Sequence, residues 1–147
     1  MRSMGREEGL LIPENLDIDK VIDQHKDELV LDKFNNYKAL YIVDAILRAR
    51  SNQRNEMLTP FANVSSKILE GVVKDYPVYI QFLMFTGVIS TDDHFIPGVK
   101  CKGYCLNAPY VGQKLKLIPL EDYNLRKAIK KQRLKRATSW NSHIHNP

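Results

Sequence analysis

Several features are scarce in this chain, and each scarcity excludes a class of protein. The 147 residues include only two cysteines, and the N-terminal residues have no apolar secretion signal, so a disulfide-stabilised secreted fold is not expected. No apolar run approaches the length of about 20 residues that a membrane-spanning helix needs. Hydrophobic residues make up 44% of the chain and charged residues 27%, as in ordinary globular domains. We therefore expect an intracellular, cytoplasmic protein with one folded domain and no contact with a membrane.

The charge is unevenly distributed along the chain. Residues 1–32 contain nine acidic and four basic side chains, whereas the whole chain has a net charge of +5. Residues 33–147 consequently carry a net charge of +10. Such a basic body favours an anionic partner, most often nucleic acid. The acidic leader is expected to stay solvated, and the alternative is that it folds back over the basic body.

Three helices are predicted in the centre of the chain. The first follows from a wide apolar stripe in the sequence NNYKALYIVDAILRARS. The second lies in SSKILEGVVKDY and the third in YPVYIQFLMFTG. In the third, Pro77 suits the first turn and Gly87 suits the position after the last turn. A further short helix is expected near Asp19–Leu29.

A β-hairpin and a final helix are predicted to follow. The composition of Ser90–Asp93 is typical of a turn, that of PGVKCKG of a loop, and that of GYCLN of a returning strand. A last helix is predicted in EDYNLRKAIKKQRLKRAT, and SWNSHIHNP is expected to be unstructured. The predicted fold class is mainly α with a small β-hairpin, a winged helix-turn-helix followed by a basic C-terminal helix. The predicted divisions are an acidic N-terminal leader (1–32), a winged-helix domain (33–110), a linker and basic helix (111–137), and a flexible tail (138–147).

The hairpin sequence FIPGVKCKGYCLN resembles a wing with the pattern Gly-x-Lys-Ser-Lys-Gly-Tyr-Arg-Leu, found in phage and mobile-element proteins. Cys101 stands where that pattern has serine and Cys105 where it has arginine, so one expected phosphate contact is lost. The resemblance covers residues 63–107 and implies a winged-helix module of replication-type or uncharacterised phage proteins, acting in the host-cell cytoplasm. The residues that match the pattern are Gly98, Lys100, Lys102, Gly103, Tyr104 and Leu106.

Nucleic-acid contacts are predicted in three places. Lys100 and Lys102 at the hairpin tip can reach a DNA backbone, although exposed lysines also keep a hairpin edge soluble. The third helix contains no lysine or arginine; Gln81 can pair there with adenine, and Tyr79 is a second candidate, although it suits the core better. The last helix carries seven basic residues within eleven positions, and no acid lies at the position four residues after any of them to neutralise it. They are Arg126, Lys127, Lys130, Lys131, Arg133, Lys135 and Arg136.

Other chemistries find little support. Cysteines four residues apart on a strand lie beyond disulfide reach, and zinc would need ligands among His94, His143 and His145. The segment PGVKCKG lacks the spacing of a nucleotide-binding loop and precedes a strand, not a helix. No catalytic set can be located from the residue pattern. We therefore expect no enzymatic activity, no cofactor and no metal site.

The sequence as a whole predicts a nucleic-acid-binding protein whose ligand is double-stranded DNA. Its expected role is replication initiation or transcriptional control. Two alternatives stay open. One is RNA binding, which the basic last helix allows equally well. The other is a protein-interaction or structural (virion-assembly) module, which the uncharged third helix favours.

Overall fold

The computed structural model describes residues 9–28, 34–51, 62–64, 66–92 and 103–145. This part of the chain contains five α-helices and two small antiparallel sheets, so the fold is mixed and mainly helical. Short 3-10 turns also occur at Lys26–Glu28 and Ala108–Tyr110. In chain order the elements are β1 (Gly9–Pro13), α1 (Ile18–Gln24), α2 (Asn36–Ser51), β2 (Ala62–Asn63), α3 (Ser66–Glu70), α4 (Tyr76–Phe85), β3 (Ile89–Asp92), β4 (Gly103–Leu106), β5 (Leu115–Pro119) and α5 (Tyr123–His145).

α2 is the centre of the core. Its residues 39–46 are all buried, because β1, β2 and α4 each contact it. A helix that is apolar on most sides needs this kind of enclosure. Asn35 caps the helix, since its side-chain oxygen accepts a hydrogen bond of 2.9 Å from the backbone N–H of Tyr37. The first predicted helix is therefore confirmed.

α4 ends at a glycine, as predicted. Gly87 has a φ of +80°, a conformation that glycine adopts without steric cost. The N–H of Val88 donates to the carbonyl of Leu83 at 2.9 Å, and the N–H of Gly87 donates to Met84 at 3.2 Å. This pair of bonds is a Schellman motif. The motif turns the chain from α4 directly into β3.

α3 is shorter than predicted. It ends at Glu70, because Gly71 follows and a glycine inside a helix costs about 1 kcal/mol relative to alanine. Backbone hydrogen bonds from Val72 and Val73 to the carbonyl of Leu69 close the chain into a turn. This turn connects α3 to α4.

β3 and β4 form the predicted hairpin, and β2 pairs with the other edge of β4. The register places Ile89 opposite Leu106 and Asp92 opposite Gly103. The turn predicted at residues 90–93 is wrong for 90–92, which lie in β3, because pairing with β4 overrides their turn composition. The predicted loop contacts Lys100 and Lys102 lie outside the described residues.

The acidic leader does not stay solvated over residues 9–28. β1 pairs antiparallel with β5, from Gly9 opposite Pro119 to Pro13 opposite Leu115. The segment folds back because it contains aliphatic side chains that reach the core, and burying each one stabilises the fold by about 1.5–3 kcal/mol. Among them, Leu10, Ile12, Leu16 and Ile18 are buried. Part of the predicted linker is correspondingly strand β5.

α5 is longer than predicted. Its first turn is capped by Asp122, whose Oδ1 accepts a hydrogen bond of 3.1 Å from the N–H of Leu125. The helix continues to His145, so the flexible tail predicted from residue 138 is wrong over 138–145. No glycine or proline interrupts this stretch, and helices usually end at such residues. None of the helices in the described ranges has the length and apolar character needed to cross a bilayer.

Candidate nucleic-acid interface

Four basic side chains lie exposed along one side of α5, namely Arg126, Lys127, Lys130 and Lys131. We call them the basic strip. Leu125 and Ile129 of the same helix are buried. Because successive helical residues are rotated by about 100°, the strip covers the side opposite these two. Within the described part of the chain, none of the four forms an ion pair, so their charges are available to an anionic ligand.

An aromatic side chain stands at the N-terminal end of the basic strip. Tyr123 is 65% exposed, and the guanidinium of Arg126 lies 6.0 Å from its ring centroid. This distance is within the range of a cation–π interaction. The sequence predictions do not include Tyr123. The signal that identifies it is its position three residues before Arg126, since helical residues three apart are neighbours.

Arg133 does not belong to the strip, although the sequence predicts it as a nucleic-acid contact. Its Nη2 lies 3.0 Å from Oδ2 of Asp44 and 3.2 Å from the carbonyl oxygen of Gly9. Burial lowers the pKa of the Arg133 guanidinium, and the charge of Asp44 opposes that shift. The structure places Arg133 apart from the other cations, because it is four residues after the buried Ile129 and therefore on the inward side of the helix.

Asp44 is the one buried charged side chain of the described residues, with an exposed fraction of 1%. Its Oδ1 accepts hydrogen bonds from the backbone N–H of Leu11 at 2.7 Å and from Nε of Arg48 at 2.8 Å. With Arg133 on Oδ2, both carboxylate oxygens are bonded. We call Asp44, Arg48 and Arg133 the Asp44 cluster. It connects β1, α2 and α5.

The Asp44 cluster makes hydrogen bonds to the backbone of β1 that a neighbouring strand would otherwise make. In a strand, the N–H and C=O of one residue point to the same side, and this side alternates along the chain. Leu11 donates its N–H to Asp44, and the carbonyl of Gly9 accepts from Arg48 at 3.4 Å and from Arg133. These backbone groups therefore lie on the edge of β1 away from β5. The cluster satisfies that edge and holds α5 against it.

The third predicted helix, α4, is uncharged on its exposed side. Tyr79 is buried, and its hydroxyl accepts a hydrogen bond of 3.0 Å from the backbone N–H of Asn35. Tyr79 is therefore a core residue, and the predicted nucleic-acid contact there is wrong, because the side chain faces α2. Gln81 is exposed, as a contact requires. It shares its side of α4 with Val78, Met84 and Phe85, all of them exposed.

The other predicted residues and sites add little to the interface. Lys135 and Arg136 lie on α5, but their side chains are outside the described part. A cavity of about 320 Å³ lies between β1, α1, α2 and β5. Its acids are engaged, since Asp17 accepts from the N–H of Lys20 at 3.2 Å and Asp19 accepts from the Asn36 side chain. Among the described residues, no group of three or more potential ligands could hold a metal ion.

No family model, no curated protein and no solved structure matches the chain. The likeness of the hairpin to phage wings is therefore a likeness of sequence pattern.

Proposed function

We propose that the protein binds nucleic acid, with double-stranded DNA as its ligand. The basic strip carries this proposal. Arg126, Lys127, Lys130 and Lys131 are exposed on one side of α5, and no acid of the described residues neutralises them. Lysine and arginine in such an arrangement bind phosphates and release the condensed counterions of DNA.

The winged-helix fold is the second part of the proposal. It is supported by the order α2–β2–α3–α4–β3–β4 and by the strand order β2–β4–β3. In a winged helix, a helix corresponding to α4 enters the major groove and the hairpin loop lies along the backbone. The proposed role, replication initiation or transcriptional control in a phage or mobile element, rests on the wing pattern of residues 98–106.

The test is a fluorescence-polarisation titration of random duplex DNA at several salt concentrations. The variant changes all four residues of the basic strip to alanine. The matched control removes four exposed lysines elsewhere, which gives the same change in net charge; these are Lys20, Lys26, Lys74 and Lys114.

The slope of log K against log salt is negative for phosphate binding. We expect the strip variant to reduce its magnitude by about 3.6, since each of the four phosphate contacts contributes about 0.9. The control should leave the slope nearly unchanged. An equal reduction of the salt slope in both variants would mean that net charge, and not the strip, attracts DNA. Absence of binding to duplex DNA at low salt would refute the proposal. Tighter binding of a structured RNA in the same titration would change the ligand to RNA.

A second candidate function is protein binding through α4. The observation that favours it is the exposed, uncharged side of this helix, where Phe85 is 67% exposed and Val78 and Met84 are each 37% exposed. An apolar interface responds little to salt, unlike phosphate binding. Phe85→Ser distinguishes the two: a lower DNA affinity places α4 at the DNA, whereas unchanged DNA affinity leaves this surface to a protein or structural partner.

A further inference from the structure

We infer that an unpaired nucleobase stacks on Tyr123, so that the basic strip holds a single-stranded segment adjoining the duplex. This inference rests on the proposed nucleic-acid function and specifies the form of the ligand. It assigns a base-stacking site to an aromatic residue that the phosphate contacts alone leave without a role.

The first support is the exposure of the Tyr123 ring next to cations. An aromatic side chain exposed by 65% on a helix surface gains little from its own fold. Base–aromatic stacking is worth about 1–3 kcal/mol per base and tolerates any sequence, because every base has a π-face. The Arg126 guanidinium, 6.0 Å from the ring centroid, can stack on a base as well. Tyr123 and Arg126 together thus form a surface suited to one base.

The second support is the position of the remaining cations. Lys127, Lys130 and Lys131 lie four, seven and eight residues after Tyr123, which keeps them on the same side of α5. Eight residues of helix rise by about 12 Å. At the duplex spacing of 3.4 Å per strand, that length corresponds to about three or four phosphates, and a more extended single strand places fewer there. One strand can therefore place a base on Tyr123 and its next phosphates on the lysines.

The acids near Tyr123 set the direction of that strand. Glu121 is exposed, whereas the Asp122 carboxylate bonds to the N–H of Leu125 at 3.1 Å. Both precede the tyrosine in sequence, and they repel phosphates at that end. The strand consequently runs from Tyr123 towards Lys131. In a duplex the faces of internal bases are stacked on each other, so the ring can stack on an unpaired base but not on an internal base pair.

The test compares a blunt duplex with the same duplex carrying a short single-stranded overhang that contains 2-aminopurine. Tyr123→Leu removes the aromatic ring, Tyr123→Phe keeps it, and Val111→Ala is the control for loss of an exposed apolar side chain outside the proposed contacts. We expect the native protein to bind the overhang duplex about tenfold more tightly than the blunt one. We also expect binding to quench 2-aminopurine fluorescence. Tyr123→Leu should lose both effects, whereas Tyr123→Phe and Val111→Ala should keep them.

Two results separate this inference from the proposed function. Salt-sensitive binding of both duplexes with equal affinity and no quenching would overturn the stacking site and leave duplex binding intact. No binding of either duplex would overturn both. Retention of the overhang preference by Tyr123→Leu would also refute the stacking site, because the ring would then not be its source.

Discussion

Replacing Asp44 by alanine tests whether the Asp44 cluster holds the fold together. The change removes the Asp44 carboxylate from both arginines, and the side chains of Arg48 and Arg133 are only 20% and 19% exposed. It also leaves the N–H of Leu11 without its acceptor. Removing one partner of a buried ion pair destabilises a protein by about 3–5 kcal/mol, because an uncompensated charge stays buried.

The partial exposure of both arginines places the expected loss at the lower end, about 3 kcal/mol, since water reaches some of each guanidinium. This is a large share of a typical stability of about 5–15 kcal/mol. Urea unfolding followed by circular dichroism measures the loss, and the midpoint should fall while the m-value is retained. Asp44→Asn is the milder variant, because its amide oxygen can still accept from Leu11.

Arg133→Met is the matched partner in a double-mutant cycle. Arg48 still neutralises Asp44 in this variant, and the methionine stem replaces part of the buried arginine stem, so the loss should be smaller than for Asp44→Ala. The double variant should show a coupling free energy of about 0.5–3 kcal/mol, as contacting residues do. A loss below about 1 kcal/mol for Asp44→Ala would refute the reasoning, because the carboxylate would then be hydrated and not closed off by the arginines.

Two further predictions concern the sheets. Gly9→Ala should destabilise the protein by about 1–3 kcal/mol in urea unfolding, because a Cβ there would lie 2.7 Å from the backbone oxygen of Ile118 and force β1 and β5 apart; an unchanged midpoint would contradict this pairing. Burial raises the pKa of the Tyr104 hydroxyl, with Tyr76 as a second cause, so the folded state holds this proton more tightly than the unfolded state. This difference stabilises the folded state. The stabilisation is fully present below the ordinary tyrosine pKa of about 10 and is lost as pH rises towards the raised folded-state pKa. Unfolding measured on both sides of that pKa should show the loss in the native protein and a smaller one in Tyr104→Phe.

The central helices and the hairpin could be predicted because their signals are local. α2 follows from its own apolar residues, α4 from Pro77 and Gly87, and the β3–β4 hairpin from two short runs on either side of a loop. Each element depends on residues within about one or two turns of it, which a single sequence displays.

The β1–β5 sheet could not be predicted, because the pairing joins segments at opposite ends of the chain. β5 is mostly exposed or half-buried, so it lacks the apolar alternation of a strand with one buried face. The net charge of the leader predicts a solvated segment. Its aliphatic residues decide the outcome, since the acids can point to solvent while Leu10 and Ile12 enter the core.

The sequence predicts which residues form the candidate site, but not which side of the helix each of them occupies. The sequence indicates which residues of the last helix are basic, and four of them are exposed. It does not show that the buried line from Leu125 through Ile129 continues to Arg133, because that requires a partner on another helix. The inward position of Tyr79 could not be predicted for the same reason, because it depends on α2 and on the backbone N–H of Asn35.

The inward position of Arg133 links the stability of the fold to the proposed interface. Its contacts with Asp44 and Gly9 fix the rotation of α5, and that rotation turns Lys127 and Lys130 towards solvent. Arg133 can therefore support DNA binding without touching phosphate. We expect Arg133→Met to lower stability but to leave the salt slope of binding unchanged at temperatures where the variant is folded. Loss of a phosphate-contacting arginine would instead reduce the magnitude of the slope by about 0.9. That result would show that Arg133 contacts phosphate.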